Sequence, residues 1–283
     1  MARLALPAAL TALAEAAAWL ESRSCTPTVE AETAHAAGVA DRWPTASREA
    51  LAAQVDVIIA FGGDGTLLDA ASVVAHSPAD VPLLGVNLGR LGFLTEAGRS
   101  DMMAALGAVV EGRTRTETRL LLSGSVIRAG ERAIDRLALN DIVVTRGALS
   151  RMIELDVAVD DQFVSHVKAD GLIVASATGS TAYNLSAGGP IVHPAVDALV
   201  LTPIAPHTLT NRPLVLPATA RITLRPDRDS RSDFVVTFDG QFGAPLEPGD
   251  IVDISRALRV LSLLRFSPRT HFDMLREKLQ WGK

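Results

Sequence analysis

The sequence has one cysteine, one tyrosine and an aromatic content of 4% over 283 residues. A lone cysteine, Cys25, forms no internal disulfide, and no Cys/His cluster has zinc-ligand spacing, so neither a disulfide scaffold nor a zinc module is encoded. Long hydrophobic runs are also missing. No stretch approaches the ~18 consecutive apolar residues that read as a membrane span. Positive charge is not in excess: 27 Lys and Arg stand against 32 Asp and Glu, a net charge of −5. No global basic field draws nucleic acid or an anionic membrane, so any phosphate ligand must be held by a local site. Two familiar phosphate loops are absent as well. There is no G-x-x-x-x-G-K-[ST], and no strand runs into G-x-G-x-x-G, which argues against a P-loop ATPase and an ordinary dinucleotide dehydrogenase.

What is present suits a globular chain. Hydrophobic residues make up 48% and charged ones 21%, enough for a sizeable core and against disorder. The length predicts one large or two modest domains. Near the start, Ala12-Leu13-Ala14 resembles a signal-peptidase site. However, Leu6, Leu10, Leu13, Ala17 and Leu20 recur at helical spacing, and Pro7 suits a first helical turn, so a surface helix and a cytoplasmic protein are expected.

Residues 1–98 alternate helix-like and strand-like segments. The apolar run 55–61 and the stretch 82–86 read as parallel strands buried on both faces, with a helix over 67–75 between them. This rhythm predicts a Rossmann-like α/β domain. Ser100 is placed to cap a helix that Gly112 stops. The period then changes to two. Strands are expected at 120–127, 137–145, 153–159, 163–168, 171–176, 220–224, 234–238, 251–255 and 258–263, with turn residues between most of them. That pattern suits an antiparallel β-sandwich over 99–265. A last helix is expected within 268–280.

Four features carry chemistry. Gly62-Gly63-Asp64-Gly65-Thr66 follows a buried strand directly. Ligands in open α/β sheets bind beyond the carboxyl ends of strands, and glycines there allow positive φ and close approach of a phosphate chain. A following helix N-terminus offers N–H groups to anions. An aspartate in that place can accept the proton of a hydroxyl attacking phosphorus, or help hold Mg²⁺; the plainer reading is a tight turn closed by its own side chain. The second feature is Asp170-Gly171 followed by Thr178-Gly179-Ser180-Thr181-Ala182-Tyr183-Asn184-Leu185-Ser186-Ala187-Gly188-Gly189-Pro190, small hydroxyl residues and glycines around the only tyrosine. It reads either as a polar-ligand segment or as a glycine-rich crossover. The third, Asn140-Asp141 before Ile142-Val143-Val144, is either a turn or a pair of ribose ligands. The fourth is the loop Asn87-Leu88-Gly89-Arg90-Leu91-Gly92-Phe93-Leu94. His166, His193 and His207 are expected to be structural.

Taken together and in order, these features resemble the NAD kinase family. Thr202-Pro203-Ile204-Ala205-Pro206-His207-Thr208-Leu209 and Asn211-Arg212-Pro213 add to the match, which runs from about residue 55 to the end. The resemblance implies a Rossmann-like N-terminal domain (1–98), a C-terminal β-sandwich domain (99–265) and a last segment (266–283) packing on the first domain. It also implies transfer of the γ-phosphoryl of ATP, or of polyphosphate, to the 2′-hydroxyl of the adenosine ribose of NAD, with a divalent ion, normally Mg²⁺. Asp64 then corresponds to the base, with Gly65 beside it. Asn140 and Asp141 correspond to ligands of the adenosine half. Thr181, Ala182, Tyr183, Asn184, Leu185 and Ser186 line adenine and nicotinamide. Asp170 contacts the nicotinamide ribose, Lys168 and Arg151 fill basic positions, Gln241 is a late polar contact, and Phe93 walls the pocket. Lys168 favours NAD over NADH. Ala177 departs from the family, where proline is common. The family also implies a homodimer or homotetramer, in which Asp170 reaches a neighbour's ligand.

Two other readings compete. The Gly-Gly-Asp-Gly element recurs in lipid and sugar kinases, but the 178–190 run argues against them. A non-catalytic NAD(P) sensor is opposed by the intact Asp64 and Gly65. One expectation concerns the start: Ala2 to Leu6 is short for the opening strand of such a domain, which suggests that the chain as given begins after a native first strand.

Overall fold

In the computed structural model the run expected at 55–61 forms the strand Ile58–Gly62. The structure describes residues 1–89, 92–95, 97–147, 152–208, 210–227 and 233–281. By contacts the chain divides into two compact units, Met1–Thr118 with Leu261–Lys283, and Arg119–Val260.

The first unit is built on parallel strands. Ile58–Gly62 pairs with Leu83–Asn87 in the register Ile58 opposite Leu83 through Gly62 opposite Asn87, and Leu83–Asn87 also pairs with Ala97–Gly98 and, at Leu83, with Leu263. Every residue of Leu83–Asn87 is buried, as a strand covered on both faces requires. Helix Pro7–Glu21 packs its alanine side inward. Ala9, Ala12, Leu13, Ala16 and Ala17 are the buried residues, so of the expected leucine-rich stripe only Leu13 and Ala17 are fully covered. The small side chains let the helix axis approach the sheet closely. Helix Met102–Val110 buries Met102, Ala105 and Leu106 in the same core. It therefore packs with this unit, and the unit boundary falls at Thr118 where the sequence suggested 98. Ser100 lies in a 3-10 turn ahead of that helix and does not cap it, whereas Gly112, at φ 67, does mark its end. Helix His271–Leu279 belongs to this unit too, and opens with a capping box between Thr270 and Asp273.

At the start of the chain, Ala2 forms a single parallel bridge to Phe61. Phe61 N donates to Met1 O and Arg3 N to Phe61 O, both at 3.0 Å. The Met1 amine is buried, which lowers its pKa to about 6. Beside this bridge lies a cavity of about 580 Å³ lined in part by Met1, Leu13, Val57, Ile59 and Val109.

The second unit holds antiparallel sheets. One has the order Leu214–Pro217, Ala198–Ile204, Gly171–Ser176, Asp141–Arg146, Phe234–Phe238, Phe242–Leu246. Facing it are Gln162–Ala169, Ile153–Val159, Ile222–Pro226 and residues 252–254 of the long strand Ile251–Arg265, with the hairpin Arg115–Arg128 and Glu131–Ala138. One core joins the two layers. Leu155, Val157, Ile222 and Val252 come from the second group, and Ile142, Leu172, Val174 and Val236 from the first. The strand Gly171–Ser176 is buried at all positions because its other face is covered as well. Ile173 and Ala175 meet Ala177 and Val192, which flank the Thr178–Pro190 run. Two expected strands, 251–255 and 258–263, are one continuous strand, and the expected strand 137–145 is broken at 139–140.

Candidate functional site

The glycines of the 62–66 loop serve close approach. None of Gly62, Gly63 and Gly65 has positive φ. Instead, a Cβ at Gly62 would sit 2.1 Å from Thr66 Oγ1. Gly63 is the N-cap and Asp64 the first residue of helix Asp64–Ala75, so a negative charge stands where the helix dipole favours it. The Asp64 carboxylate is held by the loop that follows the next strand. Phe93 N donates to Oδ2 at 2.7 Å, and Leu94 N and Thr95 N each donate to Oδ1 at 3.1 Å. Thr95 Oγ1 donates to Oδ1 at 3.1 Å. Three successive N–H groups make an anion-binding concavity. Oδ2 takes one donor among the described residues and keeps acceptor capacity.

Thr95 fixes this arrangement. It is fully buried, and its hydroxyl accepts from Asn87 Nδ2 at 2.9 Å and Gly92 N at 3.1 Å while donating to Asp64. One donor and two lone pairs are then all used, so the hydrogen on Oγ1 has one place to go. Gly92 lies against the carboxylate, and a Cβ there would be 1.8 Å from Asp64 Oδ1. Phe93 is half-buried and contributes its backbone N–H to the carboxylate; Gly65 is exposed on the opening turn of the helix.

The second unit has its own tight loop. Residues 139–141 carry six backbone polar groups, and all six are bonded. Asp239 Oδ2 accepts from Leu139 N at 2.7 Å, and Oδ1 from Asn140 N at 2.6 Å and Asp141 N at 3.0 Å. Ser176 Oγ donates to Leu139 O at 2.5 Å, Ser176 N to Asn140 O at 2.8 Å and Asp239 N to Asp141 O at 2.9 Å. Gly179 seats against this loop: a Cβ there would be 2.0 Å from Asn140 O. The side chains of Asn140 and Asp141 are buried yet make no hydrogen bond among the described residues. Burial first, then the charge of Asp239, lifts the Asp141 carboxyl to about 7. Burial also raises Asp239, against the pull of the three N–H groups it accepts.

Of the 181–186 segment, Thr181, Ala182 and Leu185 are half-buried, and Tyr183 and Ser186 exposed. Asn184 is different. Its Nδ2 donates to Ser180 O at 2.9 Å and Pro190 O at 3.0 Å, and its Oδ1 accepts from Thr202 Oγ1 at 2.6 Å. That side chain pins the segment to the strand beneath it. Lys168 Nζ donates to Glu154 Oε1 at 2.6 Å, and Asp170 Oδ1 accepts from Arg146 Nε at 2.9 Å. Gln241 is exposed, just past the Asp239-Gly240 turn of the hairpin. Arg151 lies outside the described residues. The sequence did not single out Thr95, Ser176 or Asp239; Asp239 was visible only as a neighbour of Gln241.

Comparison with known proteins gives this geometry its family. The model of the ATP-NAD kinase N-terminal domain matches residues 7–114, and that of the ATP-NAD kinase C-terminal domain residues 139–266. The NAD kinase of Aromatoleum aromaticum is 43% identical over 278 residues, covering 98% of this chain and 91% of that protein. The chain belongs to the NAD kinase family. A second relative, the NAD kinase of Heliobacterium modesticaldum, is 50% identical over 230 residues, 81% of this chain and 80% of that protein. Among solved family structures, yeast NADH kinase complexed with NADH has a TM-score of 0.87 at 26% identity, covering 100% of this chain and 87% of that one. An NAD kinase from Archaeoglobus fulgidus in complex with ATP has a TM-score of 0.69 at 30% identity, covering 84% and 89%. The two family models divide the features described above: the Asp64 loop lies in the first, and the 139–141 loop opens the second.

Proposed function

We propose that this chain transfers the γ-phosphoryl group of ATP to the 2′-hydroxyl of the adenosine ribose of NAD, giving NADP. The observation that carries the reading is Asp64: a carboxylate at a helix start beyond a buried strand, oriented by Phe93, Leu94 and Thr95, with acceptor capacity left on Oδ2. In this role Asp64 accepts the proton of the attacking hydroxyl, the task of a positioned general base. Gly65 leaves open space at the helix start, since a Cβ there would meet nothing within 4 Å. Asn140 and Asp141 are the ligands of the adenosine ribose; their side chains are free of duties in the loop that holds them. Thr181, Ala182, Tyr183, Leu185 and Ser186 line the bases, with Asn184 fixing the segment. Asp170 and Lys168 take the nicotinamide side together with Arg151 and Gln241, and Phe93 walls the pocket.

Among the described residues there is no group of three or more His, Cys, Asp or Glu side chains arranged to hold a metal. A Mg²⁺ ion would then be carried largely by the ATP phosphates, since Mg²⁺ usually takes one or two carboxylates plus substrate phosphates. Such an ion would neutralise phosphoryl charge, and the chain supplies the base and the orientation.

No described helix is long and apolar enough to cross a membrane. The reading is completed by a cytoplasmic homodimer or homotetramer that binds no nucleic acid. Incubation of purified protein with Mg·ATP and NAD, followed by an NADP-specific assay, tests it. NADP formation is expected; binding of NAD without turnover makes the chain a sensor. Parallel reactions with NADH and with polyphosphate set the acceptor and donor.

A further inference from the structure

We infer that Asp239 is a positioning residue for the NAD site, acting through the backbone of residues 139–141 to aim the side chains of Asn140 and Asp141. The inference rests on the reading above that these two side chains bind the adenosine ribose.

Asp239 sits where a hairpin turns. Phe238 pairs with Phe242, and Asp239 and Gly240 take φ of 51° and 64° between them. Both strands adjoining the 139–141 loop are fixed by the sheet: Phe238 pairs with Ile142 and Ala175 with Asp141. A turn residue with a positive φ needs only a tolerant side chain, and Asn or Gly would serve there. What Asn and Gly lack is two negatively charged oxygens. Both oxygens of Asp239 are used, on three successive N–H groups of another segment about a hundred residues away, and its own N–H closes the ring on Asp141 O. With Ser176 holding the other two carbonyls, the loop has no backbone group left over.

The chemical consequence is a division of labour. A loop that presented Asn140 and Asp141 without this clamp would use their side chains for its own Asx turns, as Asn and Asp do when backbone N–H groups are free. Asp239 satisfies those N–H groups first. The amide of Asn140 and the carboxyl of Asp141 are then left unbonded, able to take a diol or a base edge. An asparagine at 239 would place an NH₂ group against N–H donors and open one side of the clamp.

The test combines kinetics with amide exchange. Asp239→Asn is expected to raise the KM for NAD by about tenfold or more, the size of a lost charge-assisted bond, while the KM for ATP moves less than about threefold. Hydrogen exchange should rise at 139–141 and stay unchanged in Gly171–Ser176. In an Asn140→Ala background the same change should raise the KM for NAD by a smaller factor than it does alone, because residues acting through one another are not additive. Asp239→Ser, which keeps one oxygen acceptor, serves if the Asn variant does not fold. An unchanged KM for NAD in a folded variant, effects that multiply in the double variant, or failure of both variants to fold would each overturn the inference. Absence of NADP formation by the unaltered chain would count against the proposed function instead, and the exchange result at 139–141 would still report on the clamp.

Discussion

Asp64 and Asp239 are gripped alike and serve opposite purposes. Each accepts three successive backbone N–H groups, Asp64 from residues 93–95 and Asp239 from residues 139–141. At Asp64 the loop holds the carboxylate, which begins a helix and keeps capacity on Oδ2. At Asp239 the carboxylate holds the loop, and on the proposed reading the groups left to bind NAD are the loop's side chains. In the sequence both are an Asp beside a Gly at a turn. Their surroundings separate them. Thr95 and Gly92 crowd Asp64 from the donor side, whereas the strands flanking Asp239 and the 139–141 loop are paired in one sheet.

The strongest way to break the first grip is Gly92→Ala. The new methyl would lie 1.8 Å from Asp64 Oδ1, so the carboxylate must leave its nest. On the proposed reading kcat falls roughly 10²–10⁴-fold, as for loss of the base itself, measured as NADP formation. In the second grip the useful handle is pH. Asp141 titrates near 7 in the folded chain against an ordinary 3.8. The folded state therefore holds its proton through that window, and stability is lost as pH rises from about 4 to about 7. Asp141→Asn should remove this slope. Between pH 5 and pH 8 about two units of that window are crossed, so at ~1.36 kcal/mol per unit the wild type loses at most about 3 kcal/mol relative to the variant, read by urea unfolding at the two pH values.

Thr95→Val sharpens the comparison further. It removes one donor to Asp64 and takes the Thr95 hydroxyl away from Asn87 Nδ2 and Gly92 N. A fall in kcat of about tenfold is expected, with most of it restored in Thr95→Ser. The smallest effect lies outside both grips. His166 bonds Asp156 and Glu154 on an exposed face, and these partners raise its pKa above 6.5. Its contribution is complete below about 6.5 and lost as pH rises through the raised value. Being exposed, it is worth less than about 1 kcal/mol, so His166→Gln should lower the melting temperature slightly at pH 6 and leave it unchanged at pH 9.

The architecture was largely legible because burial writes itself into periodicity. The apolar runs behind Ile58–Gly62 and Leu83–Asn87 mark strands covered on both faces, and the alternation in Ile153–Val159 marks a half-covered one. Short elements escaped: Thr45–Ala46 and the helices Ala31–Ala36 and Arg48–Leu51 are too brief to show a period. The strand Ala198–Ile204 escaped as well; its end, from Thr202, was read as part of a motif. The candidate site was legible in its side chains and not in its supports. Glycines and acids stand out in a sequence, but the bond from Thr95 to Asp64 or from Asp239 to 139–141 joins segments 31 and 98–100 residues apart. Asn184 shows the reverse: a residue expected to face ligand has its amide fully engaged by Ser180, Pro190 and Thr202.

The claim that Asp64 is the held group that acts, and not merely a held group, is tested most directly by Asp64→Asn in single-turnover reactions with bound NAD and Mg·ATP. The account predicts NAD affinity within a few-fold of the unaltered chain and phosphoryl transfer slowed roughly 10²–10⁴-fold. Transfer at a near-normal rate would contradict it.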